Sequence, residues 1–375
     1  MSAPIFLVVA GDPSGDLHAS SLITALKRRD PSVRVAAVGG PLCRGAADEF
    51  LEDLASRGVT GFWEPALKIG FLLKLAGRLK RFLSERRPAA LICVDYYGFN
   101  RRLLSLAKSA GVPAFYYVGP QVWASRPGRV RVLKRLVNKM LVIFPFEENI
   151  YRDAGVPVEF VGHPLLDLIP EPKARDNGSH PPIVGLLPGS RSSEIKRHIP
   201  VFYKAFQILR ETRPALQGRL FAAANQDDAA YGRPPEGVVL VREQDYKLRA
   251  TLDLAICSSG TATLENALLG VPMVVVYKVS WPTYAIARVL VSVEHIAMAN
   301  ILAGKTVVPE LIQRDATAER VAAEAGAILN DPKRASAVRA ELLAVRRCLG
   351  EPGAADRAAA AVLDGRIKSP KAAAK

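Results

Sequence analysis

Short apolar runs alternate with polar, glycine-containing loops along much of the chain. The run at 254–257 leads into the loop 258–261, Ser-Ser-Gly-Thr, which is followed by helix-forming residues over 262–269 and a second apolar run over 273–277. Because two parallel strands need a crossover of this length, the pattern predicts a strand, a loop, a helix and a strand. In open parallel sheets, ligands bind beyond the carboxyl ends of the strands. We therefore expect the loop 258–261 to lie at a ligand site.

The same order of strand, loop and helix recurs at two other places. Residues 5–10 precede the loop 11–16, Gly-Asp-Pro-Ser-Gly-Asp, and residues 183–187 precede the loop 188–194, Pro-Gly-Ser-Arg-Ser-Ser-Glu. Residues 168–182 combine prolines and charges without periodicity, which is typical of a linker. We therefore predict an α/β protein. Its predicted segments are an N-terminal domain at 1–168, a linker at 169–182, a C-terminal domain at 183–348, and a segment at 349–375 that returns to the N-terminal domain and ends in a disordered tail.

The loops of the C-terminal half carry groups that suit a nucleoside diphosphate. Ser259, Gly260 and Thr261 offer an anion backbone N–H groups, hydroxyls and the positive end of a helix dipole. Glu265, one turn into the helix, can accept hydrogen bonds from a ribose diol. Arg191 in the loop 188–194 can present a forked, permanently charged donor to a diphosphate. The alternative is an ordinary capped crossover with Glu265 on a solvated helix face.

The first loop of the N-terminal half offers polar groups at the end of a strand. Asp12, Ser14 and Asp16 supply polar side chains there, and Gly15 lets a substrate approach the backbone closely. The loop lacks GxGxxG spacing, which disfavours a nicotinamide or flavin cofactor. The alternative is that Ser14 or Asp16 caps the first helix.

Asp95 follows the predicted strand at 89–94. An acid at the carboxyl end of a central strand lies at the ligand site, so Asp95 is a candidate general base. The alternative is that it caps a helix over 100–109.

His163, between Gly162 and Pro164, is interpreted as a turn residue.

Composition narrows the class of partner. The chain has 375 residues, 49% of them hydrophobic, which suffices for cores in two domains. Fifty-one Lys and Arg against 36 Asp and Glu give a net charge of +15. Such a charge favours nucleic acid, phosphorylated ligands or an anionic membrane surface.

Cysteine spacing and hydropathy indicate the compartment. The four cysteines lie far apart without CxxC spacing, so we expect free thiols in a reducing compartment. Neither clustered His or Cys ligands nor a DxD-type acidic pair at a strand end is found, and we expect no metal. The chain shows no basic leader and no run of 18 apolar residues, which predicts a cytoplasmic protein that spans no membrane.

The segment 63–88 has a basic amphipathic pattern. Its apolar positions at helical spacing are Leu67, Phe71, Leu72, Leu75, Leu79, Phe82 and Leu83, and its basic residues are Lys68, Lys74, Arg78, Lys80, Arg81, Arg86 and Arg87. Such a helix can lie in a membrane interface with its cations towards lipid phosphates. The alternative is a surface helix whose apolar face packs on the sheet.

Nine motifs follow one another over most of residues 5–315. They are 11–16, 95–100, 116–123 with Arg126, 144–147 with Tyr151, 160–165, 186–191 with Glu194, 259–265, 272–277 and 300–313. In this order they resemble the motif set of the lipid-A-disaccharide synthases. The resemblance implies two Rossmann-like domains with parallel sheets that face a central cleft, the glycosyltransferase B-type fold. It also implies a peripheral membrane enzyme that uses no metal or other cofactor.

The family joins UDP-2,3-diacylglucosamine to 2,3-diacylglucosamine 1-phosphate and releases UDP. The resemblance implies that Asp95 takes the proton of the acceptor 6-hydroxyl and that Arg191 stabilises the departing UDP. The substrate-binding residues that it implies are Asp12, Ser14, Gly15, Asp16, Gly189, Ser190, Glu194, Ser259, Gly260, Thr261, Glu265 and Asn300. The N-terminal domain would face the acceptor and an anionic membrane on the cytoplasmic side of the inner membrane, and the C-terminal domain would bind the UDP-sugar. No nucleic-acid partner is expected, and the oligomeric state stays open, with a homodimer among the alternatives.

Three positions depart from the family pattern. Asp12 stands where the family usually has Glu, Gly98 where it usually has a further acid, and Ser125 where it usually has Trp. The first two departures leave Asp95 and Asp16 as the acids expected near the acceptor. The third affects the acyl or sugar pocket.

Two other functions fit parts of the sequence. A UDP-sugar epimerase on the same scaffold would share the donor loops but would not need the basic amphipathic segment. A non-catalytic protein that binds anionic lipid or nucleic acid would need the charge but not the Asp95 and Arg191 loops. Release of UDP and liposome binding distinguish the three.

Overall fold

The computed structural model describes residues 3–56, 64–172, 180–243, 245–281, 284 and 294–368. The chain divides into two compact units. The first unit comprises Met1–Pro164 and Leu349–Lys375, and the second comprises Leu165–Cys348. Residues 173–179 of the predicted linker lie outside the described residues. The disordered tail was predicted at 367–375, but Ile367 and Lys368 belong to the C-terminal helix, and residues 369–375 lie outside the described residues.

The first unit is a parallel sheet flanked by helices. Its elements are β1 (Ile5–Ala10), α1 (Pro13–Arg29), β2 (Arg34–Gly39), α2 (Pro41–Ala46), β3 (Glu49–Asp53), α3 (Glu64–Arg86), β4 (Ala90–Val94), α4 (Tyr97–Ser109), β5 (Ala114–Tyr117), α5 (Arg129–Leu136), β6 (Lys139–Val142), α6 (Pro145–Asp153), β7 (Val158–Phe160) and α12 (Ala354–Lys368). The described strands lie in the order β3-β2-β1-β4-β5-β6-β7 and pair in parallel. The strands β1 and β4 are apolar along their length because both faces of the sheet are covered.

The C-terminal helix α12 completes the first unit. It packs against α1, where Arg28 forms an ion pair with Asp356 and Arg366 lies 3.5 Å from Asp30. The residues Ala358, Ala359, Ala361 and Val362 of α12 are buried. At Gly365 the helix lies so close to the sheet that a Cβ would be 2.6 Å from the ring of Phe115. The last helix that the structure describes is therefore part of the core of the first unit.

The second unit repeats this architecture. Its elements are β8 (Ile183–Leu187), α7 (Ser192–Thr212), β9 (Gln217–Phe221), β10 (Val238–Val241), β11 (Leu254–Ser258), α8 (Thr261–Leu268), β12 (Met273–Tyr277), α9 (Met298–Ala303), β13 (Glu310–Ile312), α10 (Ala318–Leu329) and α11 (Pro332–Cys348). The described strands lie in the order β10-β9-β8-β11-β12-β13 and pair in parallel. The prediction of two parallel α/β domains is confirmed.

The basic amphipathic segment forms α3, and most of its apolar face packs on the sheet. Leu75, Leu79 and Leu83 are buried in the core of the first unit, and Phe71, Leu72 and Phe82 are partly buried against the same core. The side chains of Leu67 and Lys68 lie outside the described residues. Among the described side chains of α3, the large apolar ones that lie in solvent are Ile69, 53% exposed, and Leu73, 46% exposed. The apolar positions identified in the sequence thus belong mainly to the core, and the exposed apolar surface of α3 lies beside them.

Within the described residues, every helix is too short or too polar to span a membrane.

Candidate functional site

Both sheets reverse their strand order next to their first strand, and ligands of open α/β sheets bind at such reversals. In the first unit the reversal lies between β1 and β4, which are followed by the loop 11–16 and by Asp95. In the second unit it lies between β8 and β11, which are followed by the loops 188–191 and 258–261. The loops predicted from the sequence therefore stand at the two positions where this topology places ligands.

A pocket of about 300 Å³ occupies the reversal in the second unit. Residues predicted from the sequence make up much of its lining, namely Gly189, Ser190, Arg191, Glu194, Ser259, Gly260, Thr261 and Glu265. Phe221, Glu243 and Arg249 line it as well. One predicted residue of this unit, Asn300, is not among the lining residues.

The loop 188–191 is shaped by Gly189. Its φ of +112° lies in the range that L side chains rarely adopt, and a Cβ would come within 2.6 Å of Oε2 of Glu194. Nη1 of Arg191 donates a hydrogen bond to Oε1 of Glu194 at 2.6 Å, while the side chain of Arg191 is 67% exposed. The guanidinium is thus held at the pocket and still accessible to a ligand, and Glu194 is the group that holds it.

Two helices begin at this pocket. The N-cap residue of α7 is Arg191, whose side chain makes no cap hydrogen bond within the described part of the chain, and that of α8 is Gly260, which has no side chain to make one. The first N–H groups of a helix have no partner within the helix, and they carry the positive end of its dipole. The two helix starts and Arg191 together offer a diphosphate several donors and positive potential.

Glu265 belongs to a cluster of charged and aromatic side chains. Its Oε1 accepts a hydrogen bond from the Tyr246 hydroxyl at 3.0 Å, and its Oε2 accepts one from Nη1 of Arg249. The backbone N–H of Arg249 donates to Glu243 at 3.1 Å, and its guanidinium lies over the ring of Phe221. Glu265 therefore does not lie on a solvated helix face, which was the alternative interpretation.

The sequence patterns did not single out Phe221, Glu243, Tyr246 and Arg249. Phe221 ends β9, and the other three follow β10. The rule that ligand groups follow the carboxyl ends of parallel strands would have found them. The strands β9 and β10 were not recognised, because each is short and interrupted by polar residues or flanked by proline and glycine.

Asn300 is buried and its amide is used within the chain. Nδ2 donates to the Val308 carbonyl at 2.9 Å and to Glu310 at 2.8 Å, while Oδ1 accepts from the N–H groups of Val307 and Val308. Both donors and both acceptor positions of the amide are thus occupied. These contacts give Asn300 a structural role in the loop before β13, and its predicted contact with the substrate stays a prediction.

Asp16 in the first unit has a structural role of the same kind. Its buried carboxylate accepts hydrogen bonds from the N–H groups of Gly40 at 2.7 Å, Leu42 at 3.0 Å and Cys43 at 3.0 Å. It therefore caps the start of α2. The cap of α1 is Asp12, whose Oδ1 accepts from the Gly15 N–H at 2.6 Å, in place of the predicted Ser14 or Asp16.

Asp95 lies directly after β4 in an unusual backbone conformation. Asp95 and Tyr96 have φ values of +45° and +46°, in the left-handed region. Oδ1 of Asp95 accepts from the Tyr96 N–H at 2.8 Å. The helix α4 begins at Tyr97, earlier than the predicted start at residue 100, and its N-cap is Tyr96. Asp95 is therefore not the cap of this helix.

The surroundings of Asp95 favour its protonated form. Burial, and secondarily the negative charge of Asp12, raise the pKa of Asp95 to about 6, against a smaller opposing effect of the Tyr96 N–H. A carboxyl with this pKa is ionised at neutral pH and still basic enough to take a proton. It matches what a general base requires.

A further buried carboxyl, Glu147, lies in the motif 144–147 but was not singled out from the sequence as a site residue. Its Oε1 accepts from Nε1 of Trp123 at 3.1 Å, and burial raises its pKa to about 7. Trp123 packs edge-on against Phe146, with ring centroids 5.1 Å apart. His163, 5% exposed and 5.2 Å from the ring of Phe144, extends this cluster, and burial lowers its pKa to about 3.

Among the described side chains, no three His, Cys, Asp or Glu residues lie together as ligands of a metal ion would.

Comparison with known proteins gives the family. A family model described as lipid-A-disaccharide synthetase matches residues 5–361. The lipid-A-disaccharide synthase of Syntrophus aciditrophicus (strain SB) is 46% identical over 375 residues, which cover 97% of this chain and 98% of the relative.

Solved structures with low sequence identity share the fold. The calicheamicin glycosyltransferase CalG4 superposes with a TM-score of 0.64 at 15% identity, covering 99% of this chain and 100% of that one. The UDP-GlcNAc 2-epimerase of Neisseria meningitidis superposes with a TM-score of 0.59 at 12% identity, covering 97% of this chain and 100% of the other. At such identities the likeness shows the fold alone, so the family rests on the sequence matches. The chain belongs to the lipid-A-disaccharide synthase family and is a glycosyltransferase.

Proposed function

We propose that the protein joins UDP-2,3-diacylglucosamine to 2,3-diacylglucosamine 1-phosphate, giving the β-1,6-linked disaccharide 1-phosphate and UDP. The observation that carries the proposal is the pocket at the reversal between β8 and β11, in a chain of this family. The first unit would bind the acceptor and the second would bind the UDP-sugar. The epimerase alternative is not favoured, because the family model and the relative at 46% identity are lipid-A-disaccharide synthases, whereas the epimerase structures share only the fold.

The donor site is proposed from the chemistry of the pocket. The diphosphate would lie against Arg191 and the starts of α7 and α8, where positive potential and free N–H groups are concentrated. The ribose would lie against Glu265, whose carboxylate is held in place by Tyr246 and Arg249. Gly189, Ser190, Ser259, Gly260 and Thr261 would approach the phosphates closely through backbone and hydroxyl groups.

The chemical step needs one proton acceptor and one stabilised leaving group. The acceptor 6-hydroxyl oxygen would attack the anomeric carbon and pass its proton to the carboxylate of Asp95. The bond from the anomeric carbon to the β-phosphate oxygen would break, and UDP would leave with the electron pair. Arg191 and the helix starts would stabilise the charge that develops on this diphosphate. Attack from the face opposite the leaving group inverts the anomeric centre.

The acylated substrates imply that the enzyme works at a membrane surface. The net charge of +15 favours an anionic leaflet. Ile69 and Leu73 give α3 an exposed apolar strip on a helix that also carries Lys74, Lys80 and Arg81. We propose that this strip contacts the cytoplasmic face of the inner membrane while the neighbouring leucines of α3 stay in the core.

Purified protein supplied with both acylated sugars tests the reaction. We expect release of UDP that depends on the acceptor, and a product whose mass equals that of the two sugars joined with loss of UDP. An isomerised UDP-sugar without coupling would favour the epimerase. Absence of turnover, with binding to lipid vesicles retained, would favour the non-catalytic protein.

A further inference from the structure

His198 on α7 links two strand ends beside the donor pocket. Its side chain is buried, with 1% of the residue exposed, and its ring stacks on Phe202 with centroids 5.7 Å apart. Nδ1 lies 2.8 Å from the carbonyl oxygen of Pro188, and Nε2 lies 3.1 Å from the backbone nitrogen of Lys278. Both ring nitrogens are therefore engaged by the backbone.

The partners determine how the ring is protonated. The Pro188 carbonyl can only accept, so Nδ1 must carry the proton. The Lys278 N–H can only donate, so Nε2 must offer its lone pair. Burial lowers the pKa of His198, which agrees with a neutral ring. A neutral histidine is thus the state that satisfies both contacts.

The two hydrogen-bond partners of His198 lie at the ends of the strands that flank β11. Pro188 follows β8 and opens the loop 188–191, and Lys278 follows β12. The strand β11 lies between β8 and β12 and leads into the loop 258–261. One imidazole therefore connects the carboxyl ends of β8 and β12 across β11.

The position of Pro188 sets the position of the residues after it. A Cβ on Gly189 would lie 2.6 Å from Glu194 and 3.2 Å from the Ser258 hydroxyl, so the loop has little room to move in that direction. Because Gly189 is the next residue, a shift of the Pro188 carbonyl would displace the turn and Arg191 beyond it.

We infer that His198 is a positioning residue of the donor site, which fixes the loop 188–191 relative to the loop 258–261 so that both meet the diphosphate of a nucleotide-sugar. The inference rests on the proposed function, because that function supplies the ligand. His198 does not line the pocket and would act through the loop.

Three substitutions at this position separate its hydrogen bonds from its volume. His198→Asn keeps a donor close to the position of Nδ1, and His198→Gln can place an acceptor close to that of Nε2. His198→Phe keeps the ring volume and loses both bonds. The control is Phe202→Leu, which loosens the packing around His198 and keeps both bonds. Melting temperature, Kd for UDP, and KM for donor and for acceptor are measured for each protein.

We expect His198→Phe to raise the Kd for UDP and the donor KM about tenfold, because neither hydrogen bond holds the loop 188–191 any longer, with the acceptor KM unchanged. His198→Asn should recover part of this loss. Phe202→Leu should lower the melting temperature and leave the Kd for UDP within about twofold of wild type.

Two results would overturn the inference. One is wild-type UDP affinity in His198→Phe, or in His198→Gln if the phenylalanine variant does not fold, because glutamine does not keep the donor to the Pro188 carbonyl. The other is an equal loss of UDP affinity in Phe202→Leu, since general loosening would then explain the effect. A wild-type protein that fails to bind UDP would overturn the proposed function and this inference with it.

Discussion

At the scale of single residues, the backbone at Asp95 is held in a conformation that its own sequence does not favour. Left-handed non-glycine residues cost about 1 to 3 kcal/mol each, and Asp95 and Tyr96 are consecutive. Asn100 and the Tyr116 hydroxyl donate hydrogen bonds to the carbonyl oxygen of Asp95, at 2.7 and 2.6 Å, and so hold it in place. Gly11 leaves the space that the Tyr96 ring fills. Local strain thus coincides with the proposed base.

We expect Asp95→Asn to cut kcat by roughly 10² to 10⁴, because the amide cannot take a proton. Asparagine tolerates the left-handed region as well as aspartate does, so the melting temperature should stay near that of wild type. Both quantities are measured on the purified variant, with UDP affinity as a control. Turnover within a few-fold of wild type would show that Asp95 is not the base, and Asp12 would be tested next.

The pH dependence of kcat/KM should report the ionisation of Asp95. Its pKa is raised to about 6, and only the ionised form can accept a proton. We therefore expect kcat/KM to fall about tenfold per pH unit below about pH 6 and to level off above it. The residual activity of Asp95→Asn should lack this step. A wild-type profile that is flat between pH 5 and 7 would contradict the assignment.

Arg191→Ala should lower kcat/KM by an amount equivalent to about 2 to 4 kcal/mol, because a preorganised cation that stabilises the departing diphosphate is lost. Arg210→Ala is a matched control, since Arg210 lies on the same helix and is also paired with a glutamate, Glu236. Steady-state kinetics on both variants test this prediction. If they behave alike, the effect is one of net charge and not of position.

At the scale of elements, the strands that the sequence predicted are those with apolar runs buried on both faces, such as β1, β4, β8 and β11. The strands β3, β9, β10 and β13 were not identified, because they are short or contain charged residues and form through pairing with a neighbour in the sheet. The pocket loops were predictable because they follow the strands with clear patterns. Tyr246 and Arg249 follow an unrecognised strand and were not.

Membrane binding by α3 should depend on the exposed strip formed by Ile69 and Leu73, and not on the apolar face that packs in the core. We expect the double substitution of Ile69 and Leu73 by Glu to weaken binding to vesicles that contain anionic phospholipid about tenfold or more, because it removes apolar contact and adds negative charge. Co-sedimentation measures this. Val239→Glu is the control, since Val239 is 64% exposed on β10.

If the α3 variant still sediments like wild type, the membrane contact lies elsewhere. The melting temperature should change little, because both side chains already lie in solvent.

At the scale of the whole molecule, each unit places its candidate chemistry at the reversal of its own sheet. The sequence predicted the positions of these groups because each of the loops follows a strand with a clear apolar run. The roles of Asp16 and Asn300 could not be predicted, since sequence does not reveal whether a buried polar side chain faces a ligand or a distant segment of its own chain. Asp16 binds N–H groups more than 20 residues away along the chain.

We expect activity to survive EDTA without added Mg²⁺ or Mn²⁺. Arg191 and two helix starts supply the positive potential that a diphosphate needs, and the described residues offer no cluster of metal ligands. Turnover is compared before and after chelation. The Kd for UDP is measured as a control that the nucleotide site stays intact. Loss with EDTA that added metal restores would mean that the diphosphate is neutralised by a cation.

The position of α12 has a consequence for synthesis. A ribosome makes the chain from its first residue, so α12 is the last described helix to emerge, although it belongs to the unit that is made first. The second unit has all its described elements once residue 348 is outside the ribosome. The first unit still lacks the buried alanines of α12 at that stage. Because domains fold as units during translation, the part of the protein that is translated second is the first that can reach its native state.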